Sequence, residues 1–442
     1  MAEKEQESHK KKREKPKRIW KVFSKSYLFL FVLFLIMFTM RATIIILQVF
    51  VPAMSQDFFM TSGDFAIIFT IYTFSGAITS FFVGPIAERV GYKSTIFSGM
   101  FFFTIATSVS TFATAFWVIA LAQGIAGFSA ALFGPATVAF SGDFFPENKQ
   151  SSVIGFIMSS FYVASILAVP INAFIGELLS WRWAIAIMAI LSGVILLLIV
   201  LIIPPKKQPK ISSSEMEKEQ EFDDRKREKP HKLKYYQKMK AVLTQKYALG
   251  AFFITLFQRG GLFAMTAILS DWLLIKFGKE ASISGLILMG AGIAALISNA
   301  FFSWLADKKA GKKSIILFGT ALTGLWIGVF ALLSFNFGLA IFGVIFLNFL
   351  GGISMGSYNA YIANIDAKSK NITVALNNSF GQISQALAVA IIAKVIYKQT
   401  GNYTYAGFAA AAFYLIAFIL MLFFIKKDKN MNNYSNNLSQ TN

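Results

Sequence analysis

Residues 27–52 read YLFLFVLFLIMFTMRATIIILQVFVP, and Arg41 is the only charge among them. A helix rises about 1.5 Å per residue and needs about 20 mainly apolar residues to cross a bilayer core of about 30 Å. The run exceeds the about 7–15 apolar residues of a signal-peptide core, so it reads as a first membrane crossing behind a charged stretch, with no cleaved leader. Working outward, the same pattern recurs eleven times, at 64–83, 94–114, 116–140, 151–175, 183–204, 247–272, 283–305, 314–334, 337–362, 372–397 and 404–425. The runs lack the alternation over about ten residues that marks barrel strands. The chain therefore reads as an all-α polytopic membrane protein with twelve transmembrane helices.

Composition agrees. Of 442 residues, 56% are hydrophobic, 14% are charged and 48 are Phe, against about 25% charged in a soluble domain. There is no Cys, which excludes disulfides, thiol chemistry and Cys-based zinc sites. The two His, His9 and His231, lie in charged polar stretches, so a His-based catalyst, metal site or other cofactor is not expected.

The net charge of +20 is a topology signal. Ten Lys and Arg lie in residues 1–26 and thirteen in 205–246; Arg89, Lys93, Lys149, Lys308, Lys309, Lys312, Lys313, Lys368, Lys370 and the C-terminal lysines fall on the same side of the twelve crossings. Arg182, Lys276, Lys279, Lys394 and Lys398 lie opposite. The positive-inside rule then puts both termini in the cytoplasm, and nucleic acid is not an expected partner. The chain divides into a basic tail (1–25), a first six-helix bundle (26–204), a polar cytoplasmic linker (205–246), a second bundle (247–426) and a short tail (427–442). The halves look duplicated, as in parallel transporter repeats: Arg41 and Arg259 sit mid-helix in helices 1 and 7, Glu88 and Asp307 follow helices 2 and 8, and Asp143 and Asp366 end helices 4 and 10.

After helix 2 the sequence reads Gly84-Pro85-Ile86-Ala87-Glu88-Arg89-Val90-Gly91-Tyr92-Lys93, and after helix 8 Ser303-Trp304-Leu305-Ala306-Asp307-Lys308-Lys309-Ala310-Gly311-Lys312-Lys313. With twelve spans and a central linker, this resembles the major facilitator superfamily over about residues 26–426. The chain departs from the family's loop pattern at Glu88, Tyr92 and Ser303. The resemblance implies two pseudo-symmetric six-helix bundles around one central site, alternating access, and a cytoplasmic gate in which Glu88 caps helix 11. Gly84 suits close helix packing, and Gly91 a turn with positive φ. The gating set is Gly84, Glu88, Arg89, Gly91, Lys93, Asp143, Asp307, Lys308, Gly311 and Asp366; the alternative is that the basic residues only fix topology.

A cation at the bilayer centre costs about 2.5–3.5 kcal/mol even on insertion scales, so Arg41 and Arg259 call for a reason. Two guanidinium forks suit bidentate binding of carboxylate or phosphate. Arg41-Ala42-Thr43 with the stretch Pro52 to Phe58 resembles helix 1 of anion:cation symporters, and paired Arg on helices 1 and 7 resemble organophosphate:phosphate antiporters. Pro170, Gly176 and Trp181-Arg182-Trp183 resemble the helix 5–6 region of drug and metabolite exporters; the bland reading is a kink at Pro170 and an interfacial Trp pair. Gln48, seven residues after Arg41, shares its helix face. Tyr72, Gln123 and Tyr162 in the first half, and Asn299, Asn348, Asn378 and Gln382 in the second, are candidate substrate contacts, with interhelical hydrogen bonding the alternative. No acid lies mid-span, which leaves Asp271 as the candidate proton carrier. The expected function is alternating-access transport of a small organic anion or zwitterion (a carboxylate, amino acid or phosphate ester). The runner-up is an exporter of drugs or amphipathic metabolites. A monomer in a bacterial inner membrane is expected, with a small molecule and the lipid bilayer as its partners.

Overall fold

The computed structural model describes residues 27–145, 147–203, 235–306, 311–333, 336–365, 370–400 and 402–425. Among them no strand occurs, and twelve helices are long and apolar enough to cross a membrane. These are α1 (Tyr27–Val49), α2 (Ser62–Ala87), α3 (Tyr92–Thr111), α4 (Phe116–Ser141), α5 (Val153–Leu178) and α6 (Trp181–Ile202), then α7 (Lys246–Ala267), α8 (Ala281–Leu305), α9 (Lys312–Leu332), α10 (Phe337–Ile362), α11 (Ile372–Thr400) and α12 (Tyr403–Phe424). In lipid every backbone N–H and C=O must be satisfied within its segment, so each apolar run becomes a helix. Below, the tail side is where α1 starts and α12 ends; the far side is opposite.

Two boundaries differ from the sequence reading for one reason. The runs at 27–52 and 247–272 each stop early and restart as a short helix, Val51–Asp57 and Leu269–Phe277. Pro52 near the start of the first accounts for one break. The matching break at Ile268 has no Pro or Gly of its own. Both deflect the far-side end of the helix that carries the intramembrane Arg.

Lipid tails are as apolar as Leu, so close backbone approach, more than burial, drives helix association here. In the first half α4 packs on α2 and α3, and α3 on α6; in the second, α10 packs on α8 and α9, and α12 on α7 and α9. Gly127 shows how tight this is: a Cβ there would lie 1.9 Å from the Tyr72 carbonyl oxygen of α2. The halves meet along two seams, α2 against α11 and α5 against α8. The seam helices α5 and α11, equivalents in the two halves, both contain a π-helical stretch, Ala164–Ala168 and Val389–Tyr397. In α5 it runs up to Pro170, where the ring would clash with a regular turn.

The loop after α2 turns as its glycine requires. Gly91 has φ +86°, and Gly311 in the second copy has φ +72°. Lys93 donates through Nζ to the carbonyls of Val200 and Ile203 at the end of α6, a cation on the negative end of a helix within the same half. Arg89 is exposed. The side chains of Glu88 and Asp143, and all of Asp307, Lys308 and Asp366, lie outside the described residues. The Trp pair divides. Trp183 is 57% exposed, as an interfacial ring would be. Trp181 is only 3% exposed and donates from Nε1 to Asp57 at 2.8 Å, beside the Arg182–Asp57 ion pair at 2.7 Å. It is a packing residue that ties α6 to the short helix after α1.

Candidate functional site

Arg41 lies half-buried on α1, near enough to the Tyr72 hydroxyl of α2 and the Tyr162 hydroxyl of α5 to feel both electrostatically. Among the described residues no carboxylate or amide pairs with its guanidinium. Tyr162 points across the divide, its hydroxyl 3.9 Å from Met355 Sδ on α10, and Met355 is exposed. One helical turn further on, Asn359 is exposed on the same face of α10.

Arg259 closes the other wall. Its Nη2 donates to Asn359 Oδ1 at 3.1 Å and its Nη1 to Asn378 Oδ1 of α11 at 3.3 Å. Its stem lies on Gly381, where a Cβ would come within 2.8 Å of Cδ. The guanidinium therefore sits among α7, α10 and α11, held by two neutral acceptors. Across the divide, Arg41, Tyr162, Met355, Asn359 and Arg259 form a continuous line. Two cations border one interface without a described counter-ion.

Of the other candidates, the structure gathers Tyr72, Tyr162 and Asn378 at this line. Gln382 lies on the α2–α11 seam, donating to Ser80 at 3.4 Å, with its Oε1 filling the space over Gly76. Gln123 turns into its own half and donates to Ser110 on α3 at 3.2 Å. Asn348 bonds back to the Val344 carbonyl one turn before it at 2.9 Å. Asn299 lies under Gly352 and Gly356 of α10. Gln48 is 2% exposed, and its Nε2 has no acceptor among the described residues. Asn359 was absent from the sequence reading: one more Asn on an apolar helix carries no mark that separates it from Asn348.

The far side is shut by polar ties between the halves. Asp271, 6% exposed, accepts from Ser62 of the first half and from Tyr397 of α11 at 2.7 Å. Lys398 pairs with Asp64 at 2.7 Å, and Glu177 of α5 accepts from the Ser282 backbone N–H of α8 at 2.7 Å. Phe69 and Phe263 meet edge to face beneath them, 6.4 Å between centroids. Above lies a cavity of about 350 Å³ lined by Ser55, Ser62, Asp271, Tyr397 and Lys398. The sequence placed Asp271 near the membrane surface; the structure places it in the closed seam at that end. Removing its charge should loosen the closure. Charge-assisted hydrogen bonds contribute about 1.5–3 kcal/mol each. Asp271→Asn should therefore raise labelling of a single Cys at Ala393, buried beneath Gly63, by about tenfold with an impermeant maleimide. Unchanged labelling would show that Asp271 does not hold the seam.

The Major Facilitator Superfamily profile matches residues 29–389, and again 251–439, and the chain belongs to that superfamily, a family of transporters. The fold agrees with the crystal structure of a D-xylose-proton symporter: TM-score 0.72 at 12% identity, covering 91% of this chain and 98% of that one. Among curated relatives, the D-galactonate transporter of Escherichia coli O6:H1 is 27% identical over 128 residues, 29% of this chain and 30% of the relative. The sialic acid transporter NanX of Escherichia coli K12 is 24% identical over 296 residues, 66% of this chain and 68% of that one. The match thus spans about a third of the first relative's length and two thirds of the second's. The protein is a multi-pass membrane protein of this superfamily.

Proposed function

We propose that the protein carries a small organic anion across the bilayer by alternating access, with the anionic cargo bound between Arg41 and Arg259. The observation that carries this is the pair of guanidiniums on one interface with no described carboxylate beside either. A cation in the membrane is retained when something partners it, and here a negatively charged cargo would do so. The names of two relatives, transporters of D-galactonate and sialic acid, point the same way. The charge asymmetry supports both termini lying in the cytoplasm, and the protein is taken to act as a monomer in a bacterial inner membrane. The test is uptake into proteoliposomes of labelled D-galactonate, sialic acid, amino acids, phosphate esters and a lipophilic cation. Uptake of an anion that fails in both Arg41→Ala and Arg259→Ala supports the reading. Transport of the lipophilic cation that persists or rises in those variants would establish the exporter reading instead.

A further inference from the structure

The two arginines have different neighbours, and the difference bears on which one takes the charged end of the cargo. Arginine has no acceptor atom. The amide atoms facing Arg259 from Asn359 and Asn378 must therefore be their oxygens, and the orientation of both amides follows from chemistry. Each –NH2 then points away from Arg259. Neither finds a protein acceptor among the described residues: their only hydrogen bonds are those to Arg259. Asn359 is itself exposed, one turn after Met355, which meets Tyr162 of the other half. The corner thus presents the remaining guanidinium N–H groups and two amide –NH2 groups, donors that outnumber the one spare lone pair left on each amide oxygen. The neighbours of Arg41 are tyrosine hydroxyls, which donate and accept alike.

We infer that Arg259, Asn359 and Asn378 form a donor-rich head-group site for the oxyanion end of the cargo, with the Arg41–tyrosine corner taking the remainder of the molecule. This rests on the anion reading above and deepens it. A carboxylate, sulfonate or phosphate oxygen accepts every bond such a corner offers. An ammonium brings three protons and a positive charge beside the guanidinium, with at most the two spare amide lone pairs to accept them, and a buried group left unpaired costs more than a made bond returns. The amides have two functions. They hold the planar fork in one orientation, so less freedom is lost on binding, and, being neutral, they leave its charge for the cargo. An aspartate at either position would supply an internal counter-ion and turn a donor into an acceptor.

The probes are acetate, sulfate and phosphate, each compared with chloride at equal ionic strength, with sorbitol as the neutral control. The readout is the concentration-dependent thermal shift of purified full-length protein, since a ligand of the folded state stabilises it by mass action. The parent is Arg41→Gln, in which Arg259 is the remaining intramembrane guanidinium. The expected result is a saturable shift with at least one oxyanion and none with sorbitol. Adding Asn359→Asp or Asn378→Asp should weaken the apparent affinity at least tenfold. Asn359→Gln, which keeps the donor, should preserve it within threefold. Asn359→Ala, measured alongside on monodisperse protein, should weaken it without adding charge. If Arg41→Gln alone abolishes a shift present in the wild type, or the Asp variants keep it, the head-group assignment falls while the anion reading stands. If no oxyanion shifts the wild type, both fall.

Discussion

Arg259→Ala should abolish cargo binding and leave the protein at least as heat-stable as before. Losing a charge-assisted fork costs about 2–5 kcal/mol of binding, roughly 30-fold to several thousand-fold in affinity. Against that, a cation at membrane depth with neutral partners weighs on the fold by about 2.5–3.5 kcal/mol. Removing it leaves Asn359 and Asn378 able to turn, one of them already exposed. Arg41→Ala should likewise hold or raise the melting temperature, since nothing described pairs with that guanidinium, and should lose the whole cargo while small oxyanions still bind at Arg259. The joint signature, binding lost while the melting temperature holds or rises, separates a binding residue from structural glue. It can be read by scintillation proximity binding and thermal unfolding on one preparation. A melting temperature that falls by many degrees in both variants would mark the arginines as structural.

Gly127→Ala should have the largest effect on folding of any single methyl group added to the first half. The new carbon would sit 1.9 Å from the Tyr72 carbonyl oxygen. That atom is backbone and cannot swing aside, so α2 and α4 must separate. Overpacking of this kind costs about 3 kcal/mol or more, and the displaced residue is Tyr72, neighbour of Arg41. Gly155→Ala is the control: no atom lies within 4 Å of its added carbon, and Ala favours a helix over Gly by about 1 kcal/mol. Thermal unfolding in one detergent should show a large drop for the first and no loss for the second. Equal effects would mean that the α2–α4 contact is looser than described.

Twelve spans were legible because each must bury a whole apolar run in lipid, a constraint read one segment at a time. The two arginines were legible for the converse reason: a charge inside such a run is costly enough to mark itself. The short helices at Val51–Asp57 and Leu269–Phe277 were not, since an apolar run looks the same whether it continues straight or breaks and restarts. Nor was the position of Asp271. Ser62 is 209 residues away, and local sequence cannot distinguish a carboxylate sealed in a seam from one at the lipid headgroups. Gln123 and Asn348 show the same limit from the other side. Both are polar residues in spans, and both find partners within their own half. Asn359, the amide that does reach Arg259, has no periodicity or motif to set it apart.

The wide turns in α5 and α11 lie ahead of the residues that shut the far side: Glu177 follows the first, and Lys398 the second, with Tyr397 at its edge. Each residue of a regular helix advances about 1.5 Å and rotates about 100°. Regularising a wide turn slips everything beyond it by one notch against everything before it. Tyr397 and Lys398 would then swing off Asp271 and Asp64, and Glu177 off Ser282. A ratchet of one residue in each of two equivalent helices would undo those three ties together, leaving the Ser62–Asp271 bond to part as the halves separate.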